Sequence, residues 1–138
     1  MTKYSYRDIE LFTYWFINTI RRMETETKTT LYTLDPKYLL DTPNGLQYNM
    51  LNNHVCQIWA YPYVHIYTPI DKNDFISPEL LINNILPLKF HYKSVYYSLG
   101  CLLEYLLKDD IGLIEGTKLH TFILRCKHIN PGDRQLIL

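Results

Sequence analysis

Residues 92–107, which read YKSVYYSLGCLLEYLL, constrain the fold of this chain more than any other stretch. With Ser94 read as its N-cap, the helix that follows is apolar nearly all round. Such a helix has to be covered on every side. A bilayer cannot be the cover, because residues 95–107 are too short to span one and carry Glu104. The helix therefore belongs at the centre of a folded domain, wrapped by the rest of the chain.

The 138 residues are enough for one domain with a real core, and neither a linker nor a repeat divides them, so 1–138 reads as a single domain. The formal net charge is zero. A dedicated binder of nucleic acid or of an anionic membrane needs a basic excess, so neither is an expected partner. Cys56, Cys101 and Cys126 are odd in number and widely spaced, which argues against a disulfide scaffold and for a reducing, cytoplasmic setting. The apolar run 11–17 is short, lies inside an amphipathic pattern and precedes Arg21-Arg22, so it does not read as a signal peptide.

Local signals place the other elements. Ser5-Tyr6-Arg7-Asp8 forms a capping box, and Ile9, Phe12, Phe16, Ile17 and Ile20 follow helical spacing, predicting a helix over 5–23. Thr25, Thr27, Thr29 and Thr30 then favour extended chain. Residues 31–40 read as a loop and short strand, Asn44-Gly45 as a tight turn, and 46–51 as the returning strand of a small hairpin. Residues 59–68 alternate large side chains and read as extended, with Pro62 and Pro69 confining any strand to a sheet edge. Ser77-Pro78-Glu79 starts a helix that ends before Pro87. A last helix covers 117–127 and breaks at Asn130-Pro131-Gly132, with Asp133 capping a final turn. The predicted fold is mainly α, with one small β-hairpin.

Four blocks of sequence, in order, resemble the C-terminal lobe of a protein kinase. The 5–23 helix stands where that family has a long helix before its catalytic loop. Pro36-Lys37-Tyr38-Leu39-Leu40-Asp41, followed by Asn44-Gly45, is similar to the family's K-P-x-N-[IL]-L…G hairpin. Thr68-Pro69-Ile70 and Phe75-Ile76-Ser77-Pro78-Glu79 resemble G-T-P-x-Y-[MI]-[SA]-P-E, with residues 71–74 inserted. Ser98-Leu99-Gly100 in the central helix, then Phe122-Ile123-Leu124-Arg125-Cys126 and Asn130-Pro131-Gly132-Asp133-Arg134, resemble the family's S-L-G helix and its closing F-[IL]-x-x-[CM]-L-x-x-[DN]-P-x-x-R. The resemblance implies a kinase C-lobe-like helical domain, and an ion pair between Glu79 and Arg134. The alternative for these two residues is a pair of solvated surface charges.

The resemblance also shows what has been replaced. Aligned on Pro36, the catalytic base falls on Thr33 and a metal-binding Asn on Tyr38, while Asp35 stands at the position of a Lys. Residues 43–70 contain no Asp or Glu, and Asn52-Asn53-His54 occupy the region expected to bind metal. The central-helix Asp that pins the catalytic loop is Val95. No glycine-rich loop, nucleotide-gripping Lys or partner Glu precedes Ser5, so no N-lobe is expected. Only residues 108–116 separate the central helix from the last one, where the family places a further, substrate-docking helix. Phosphoryl transfer requires a base, metal-binding carboxylates and a phosphate clamp. The implied protein is a catalytically inactive pseudokinase with no cofactor and no catalytic residues.

His120, Cys126 and His128 match no closed zinc pattern, so no metal is expected. Cys101 reads as a small apolar filler. Trp59, Tyr61, Tyr63 and Tyr67 are candidate partner contacts, the competing reading being core packing. The design is similar to truncated kinase-like proteins carried by some viruses. This implies a protein partner, itself a kinase, inhibited by lobe mimicry in the host cytoplasm. Self-association into a homo-oligomer through the face that an N-lobe would otherwise cover, and a phosphotransferase using Asp35 or a noncanonical site, are the alternatives.

Overall fold

The computed structural model describes residues 4–50 and 54–138. Helix α1, Tyr6–Arg22, opens on the capping box: Asp8 N–H donates to Ser5 Oγ and Ser5 N–H to the Asp8 carboxylate, each at 3.1 Å. Its apolar stripe, Ile9, Phe12, Phe16, Ile17 and Ile20, is buried. The helix does not give way to extended chain at Met23. A π-helical turn, Met23–Thr27, continues it until Lys28 adopts a left-handed conformation. Thr25 and Thr27 spend their hydroxyls on the carbonyls of Arg21 and Met23, four residues back, which lets threonines sit in the turn.

Strand β1, Thr29–Leu31, follows, and then a 3₁₀ turn, Pro36–Tyr38. Strands β2, Leu39–Thr42, and β3, Gly45–Tyr48, form the hairpin, with Leu39 opposite Tyr48 and Thr42 opposite Gly45. That register puts Pro43 and Asn44 in the loop and Gly45 at the start of the strand, where its φ of +110° suits glycine. Leu51, predicted to end the returning strand, lies outside the described residues, as do Asn52 and Asn53. The chain continues through β4, Val55–Gln57, and β5, Tyr63–Ile66, to a short helix α2, Pro78–Leu81. After β6, Leu88–His91, come the central helix α3, Ser94–Leu106, a 3₁₀ turn, Ile111–Leu113, helix α4, Lys118–Cys126, and a last 3₁₀ turn, Pro131–Asp133.

The expectation of a mainly α fold with one hairpin is corrected. Three two-stranded antiparallel sheets are present, β1–β4, β2–β3 and β5–β6, and the fold is mixed α and β. Two of the three pair segments far apart in sequence, Thr30 with Cys56 and Val64 with Phe90, so no turn motif announces them. The predicted 77–86 helix also shrinks to one turn. Beyond Leu81 the chain turns out to solvent, leaving Ile82 and Ile85 each 80% exposed.

Helix α3 is the centre of the core. Val95, Leu99, Leu102 and Leu103 are no more than 1% exposed, and α4 packs along it through Phe122, Ile123 and Cys126. The two helices meet at Gly100, where a Cβ would stand 2.6 Å from Lys127 Cγ and 3.2 Å from Cys126 Cβ. Across the core, α1 is tied to α4 by Glu10, which takes Lys118 Nζ at 3.2 Å and also pairs with Arg7. No described helix is long and apolar enough to cross a membrane.

Candidate functional site

The loop between β1 and β2 carries the positions at which the resemblance would place catalysis. Thr33 is fully buried, and its hydroxyl donates to Asn73 Oδ1 at 3.0 Å. Asn73 also takes the Phe75 N–H at 2.9 Å and gives its own amide N–H to Leu34 O at 3.0 Å. This hydroxyl therefore belongs to a buried network that pins residues 73–75 against the loop. An alcohol has no acid–base capacity near neutral pH, unlike a carboxylate.

Asp35 is committed to the 3₁₀ turn. Its Oδ1 accepts the Lys37 N–H at 3.0 Å, and its own N–H donates to the Tyr48 hydroxyl at 2.9 Å. Burial raises the Tyr48 phenol far above its ordinary range, which keeps it a neutral hydrogen-bonding group. Tyr38 packs edge-on against His54, 5.7 Å between centroids, and against Tyr48 at 6.2 Å. Burial also pushes His54 below the usual imidazole range, and neighbouring Asp35 only partly opposes this. Val95 is a core residue of α3, 1% exposed. Among the described residues, no group of three or more His, Cys, Asp or Glu is placed to hold a metal ion.

Glu79 and Arg134 meet. Arg134 Nη1 donates to Glu79 Oε2 at 2.7 Å and Nη2 to Oε1 at 2.9 Å, a bidentate pair. The guanidinium is fully buried and the Glu79 side chain is 25% exposed, so these are not solvated surface charges. Arg134 Nε also donates to His128 O at 2.8 Å, and the guanidinium lies over the Tyr97 ring at 5.1 Å. The pair thus ties the start of α2 to the C-terminal segment across α3.

Several capping assignments change here. Ser77 and Ser94 cap nothing with their side chains; their hydroxyls, both buried, bond to each other at 2.6 Å. The N-cap of α3 is Lys93, whose ammonium donates to Arg134 O at 3.0 Å. Asn130, not Asp133, caps the last turn, accepting the Gly132 N–H at 3.1 Å. His120, Cys126 and His128 are not brought together. His120 Nδ1 accepts the Gly116 N–H, His128 Nδ1 accepts the Asn130 N–H, and Cys126 is buried where α4 meets α3. Cys101 is only half-buried.

Trp59, Tyr61, Tyr63 and Tyr67 are 62, 74, 38 and 69% exposed, so none of the four is a core residue. Trp59 N–H donates to Tyr63 O at 2.9 Å, and an isolated bridge joins Ile58 to Val64. Cross-strand partners on β5 and β6 alternate between faces. Val64 with Phe90 and Ile66 with Leu88 face the core, while Tyr63 with His91 and His65 with Lys89 share the other face, on which Tyr63 and Lys89 are exposed and the two histidines half-buried. Lys89 Nζ lies 4.4 Å from the Tyr63 ring centroid. The exposed Tyr61 brings its hydroxyl within 3.3 Å of that of the buried Tyr92, and the Tyr96 hydroxyl donates to Glu24 at 2.9 Å.

Sequence reasoning missed β6 and with it Lys89 and His91. Its alternation of Leu88 and Phe90 with Lys89 and His91, directly after Pro87, was the available signal. Asn73 carried no comparable signal, since its role exists only through contacts with residues 33–34. No protein-family model matches this chain, and no curated protein matches its sequence.

Proposed function

We propose that this chain is a catalytically inactive, kinase-like binding protein that acts on a protein partner, a kinase being the partner implied by the resemblance. The observation that carries the reading is the use made of the replaced catalytic positions. Thr33 closes a buried hydrogen-bond network, Tyr38 fills an aromatic cluster, and Val95 packs in the core. None of these side chains can take a proton from a substrate hydroxyl or carry a magnesium-bound nucleotide. The order of elements supports the kinase-like part: a long helix, a hairpin, Ser-Pro-Glu at a helix start, a buried central helix and a final helix whose following arginine returns to that glutamate. The exposed aromatic segment supports the binding part, since Trp and Tyr are frequent interface anchors.

Two measurements test the two halves. A nucleotide in hundredfold excess over its Kd stabilises a protein by about 2.7 kcal/mol. Differential scanning fluorimetry with MgATP is expected to give no shift, and a shift of several degrees overturns the inactive reading. Affinity capture from a cell lysate, with wild type beside a folded Trp59/Tyr61/Tyr63 triple alanine variant, is expected to enrich a protein kinase with the wild type alone. Recovery of the bait by itself overturns the binding reading.

Self-association is the second reading. It is favoured by the exposed apolar residues at the end of α2, Leu81, Ile82, Ile85 and Leu86. A mass by light scattering that rises with concentration, and falls back for Ile82→Ser/Ile85→Ser, distinguishes it.

A further inference from the structure

The outward face of the β5–β6 sheet has a chemical character that the whole chain, with zero net charge, does not share. Residues 43–70, which supply β4, β5 and the Trp59–Tyr61 turn, contain no Asp, Glu, Lys or Arg. Residues 80–103, which supply β6 and α3, contain two formal charges, Lys89 and Lys93. Of the carboxylates that flank these segments, Asp41 accepts from the Tyr4 hydroxyl, Glu79 pairs with Arg134 and Glu104 with Lys127. Lys93 is also occupied, by the carbonyls of Gly132 and Arg134. Lys89 is exposed, leans on the Tyr63 ring and has no ion-pair partner among the described residues. The face therefore joins an exposed, unpaired ammonium to two half-buried imidazoles and a row of exposed aromatic rings, and the carboxylates nearest it, Glu79 beside His91 and Glu24 beside Tyr92, are already held by Arg134 and the Tyr96 hydroxyl.

We propose that this face is the docking surface for an acidic polypeptide segment of the partner, an inference that rests on the binding reading above. A partner carboxylate would meet Lys89, with His65 opposite it on β5 and His91 two residues along β6, while apolar or aromatic partner side chains pack on Trp59, Tyr61 and Tyr63. Charge complementarity selects the class of occupant. A single-stranded nucleic acid would use the same rings, but its affinity comes from neutralising several phosphates, and one free lysine cannot do that.

The test is a fluorescence titration of the full chain, read at Trp59, with a random copolymer of glutamate and tyrosine. A copolymer of lysine and tyrosine and an oligothymidylate serve as comparators. The glutamate copolymer is expected to bind saturably, to weaken as salt rises, and to lose about tenfold or more in affinity on Lys89→Glu. Lys89→Gln should lose less, and Trp59→Phe should remove the binding-dependent change while the emission of the second tryptophan, Trp15, stays constant through the titration. Lys89 is exposed, so both lysine variants are expected to fold, and an unchanged melting temperature verifies it. Absence of binding, equal affinity for Lys89→Glu, or equal binding of the lysine copolymer overturns the proposal, and preference for oligothymidylate reassigns the face to nucleic acid. Failure to bind leaves the inactive reading of the catalytic loop standing. Phosphorylation of the bound copolymer in MgATP instead overturns that reading and leaves the docking surface in place.

Discussion

Replacing Glu79 with alanine removes the counter-charge of Arg134 and leaves its guanidinium in place, fully buried. Two charge-assisted hydrogen bonds, 2.7 and 2.9 Å, are lost together. The carbonyls of His128, Lys93 and Ile129, at 2.8, 3.4 and 3.5 Å, still solvate part of the charge. Breaking a buried pair from one side costs about 3–5 kcal/mol, and the remaining carbonyls place Glu79→Ala near the lower end. Arg134→Ala strands those carbonyls and uncovers Tyr97, while Glu79, already part-exposed, can rehydrate; its cost falls in the same range. The double variant should therefore lose less than the sum, with a coupling of about 2–3 kcal/mol. Arg125→Ala is the control: an exposed guanidinium holding one carbonyl, Ile137 O at 3.2 Å, worth about 0.5 kcal/mol or less. Urea unfolding followed by far-ultraviolet circular dichroism measures all four variants. Against a total stability of roughly 5–15 kcal/mol, the single variants of the pair should melt on the order of 10–20 °C lower. Losses for Glu79→Ala and Arg134→Ala no larger than for Arg125→Ala would refute the reasoning.

The α3–α4 contact predicts that Gly100→Ala destabilises, because its Cβ would stand 2.6 Å from Lys127 Cγ; overpacking of about 1–3 kcal/mol should outweigh a helix-propensity gain of about 1, read as a lower melting temperature. Burial raises the Glu24 carboxyl above its ordinary value despite the Tyr96 hydrogen bond. The folded state then holds a proton more tightly than the unfolded one, so the Glu24 contribution is fully present below the unfolded pKa and is lost as pH rises through the folded pKa. Glu24→Gln should therefore be at least as stable as wild type at pH 7.5, with its relative advantage shrinking toward pH 4; a constant difference in melting temperature across that range defeats this account. Burial pushes the Cys56 thiol up to about 12 and Cys126 beyond that, so iodoacetamide at pH 8 should leave both unlabelled until urea unfolds the chain; fast native labelling of Cys126 would contradict the packing.

Local chemistry was legible in the residues. The Ser5 capping box, the stripe of α1, the all-round apolar character of α3 and the start of α4 at Thr117 each depend on neighbours within one or two turns. The contact between Glu79 and Arg134 was legible through the resemblance, since it joins residues far apart in the chain. The exposed aromatics were named, but their face was not: it depends on β6, a four-residue strand whose partner lies in a distant segment.

By itself, then, the sequence determined where chain direction and hydrophobic period repeat over short spans, and that α3 had to be the covered centre. Tertiary structure alone decided that the fold is mixed, through β1–β4 and β5–β6. It also decided that Ser94 bonds Ser77 rather than capping, and that Lys89, His65 and His91 share one face. The physical reason is common to all three: each depends on a pairing between distant segments, and such pairing is selected by burial and register over the whole core rather than by the residues on either side.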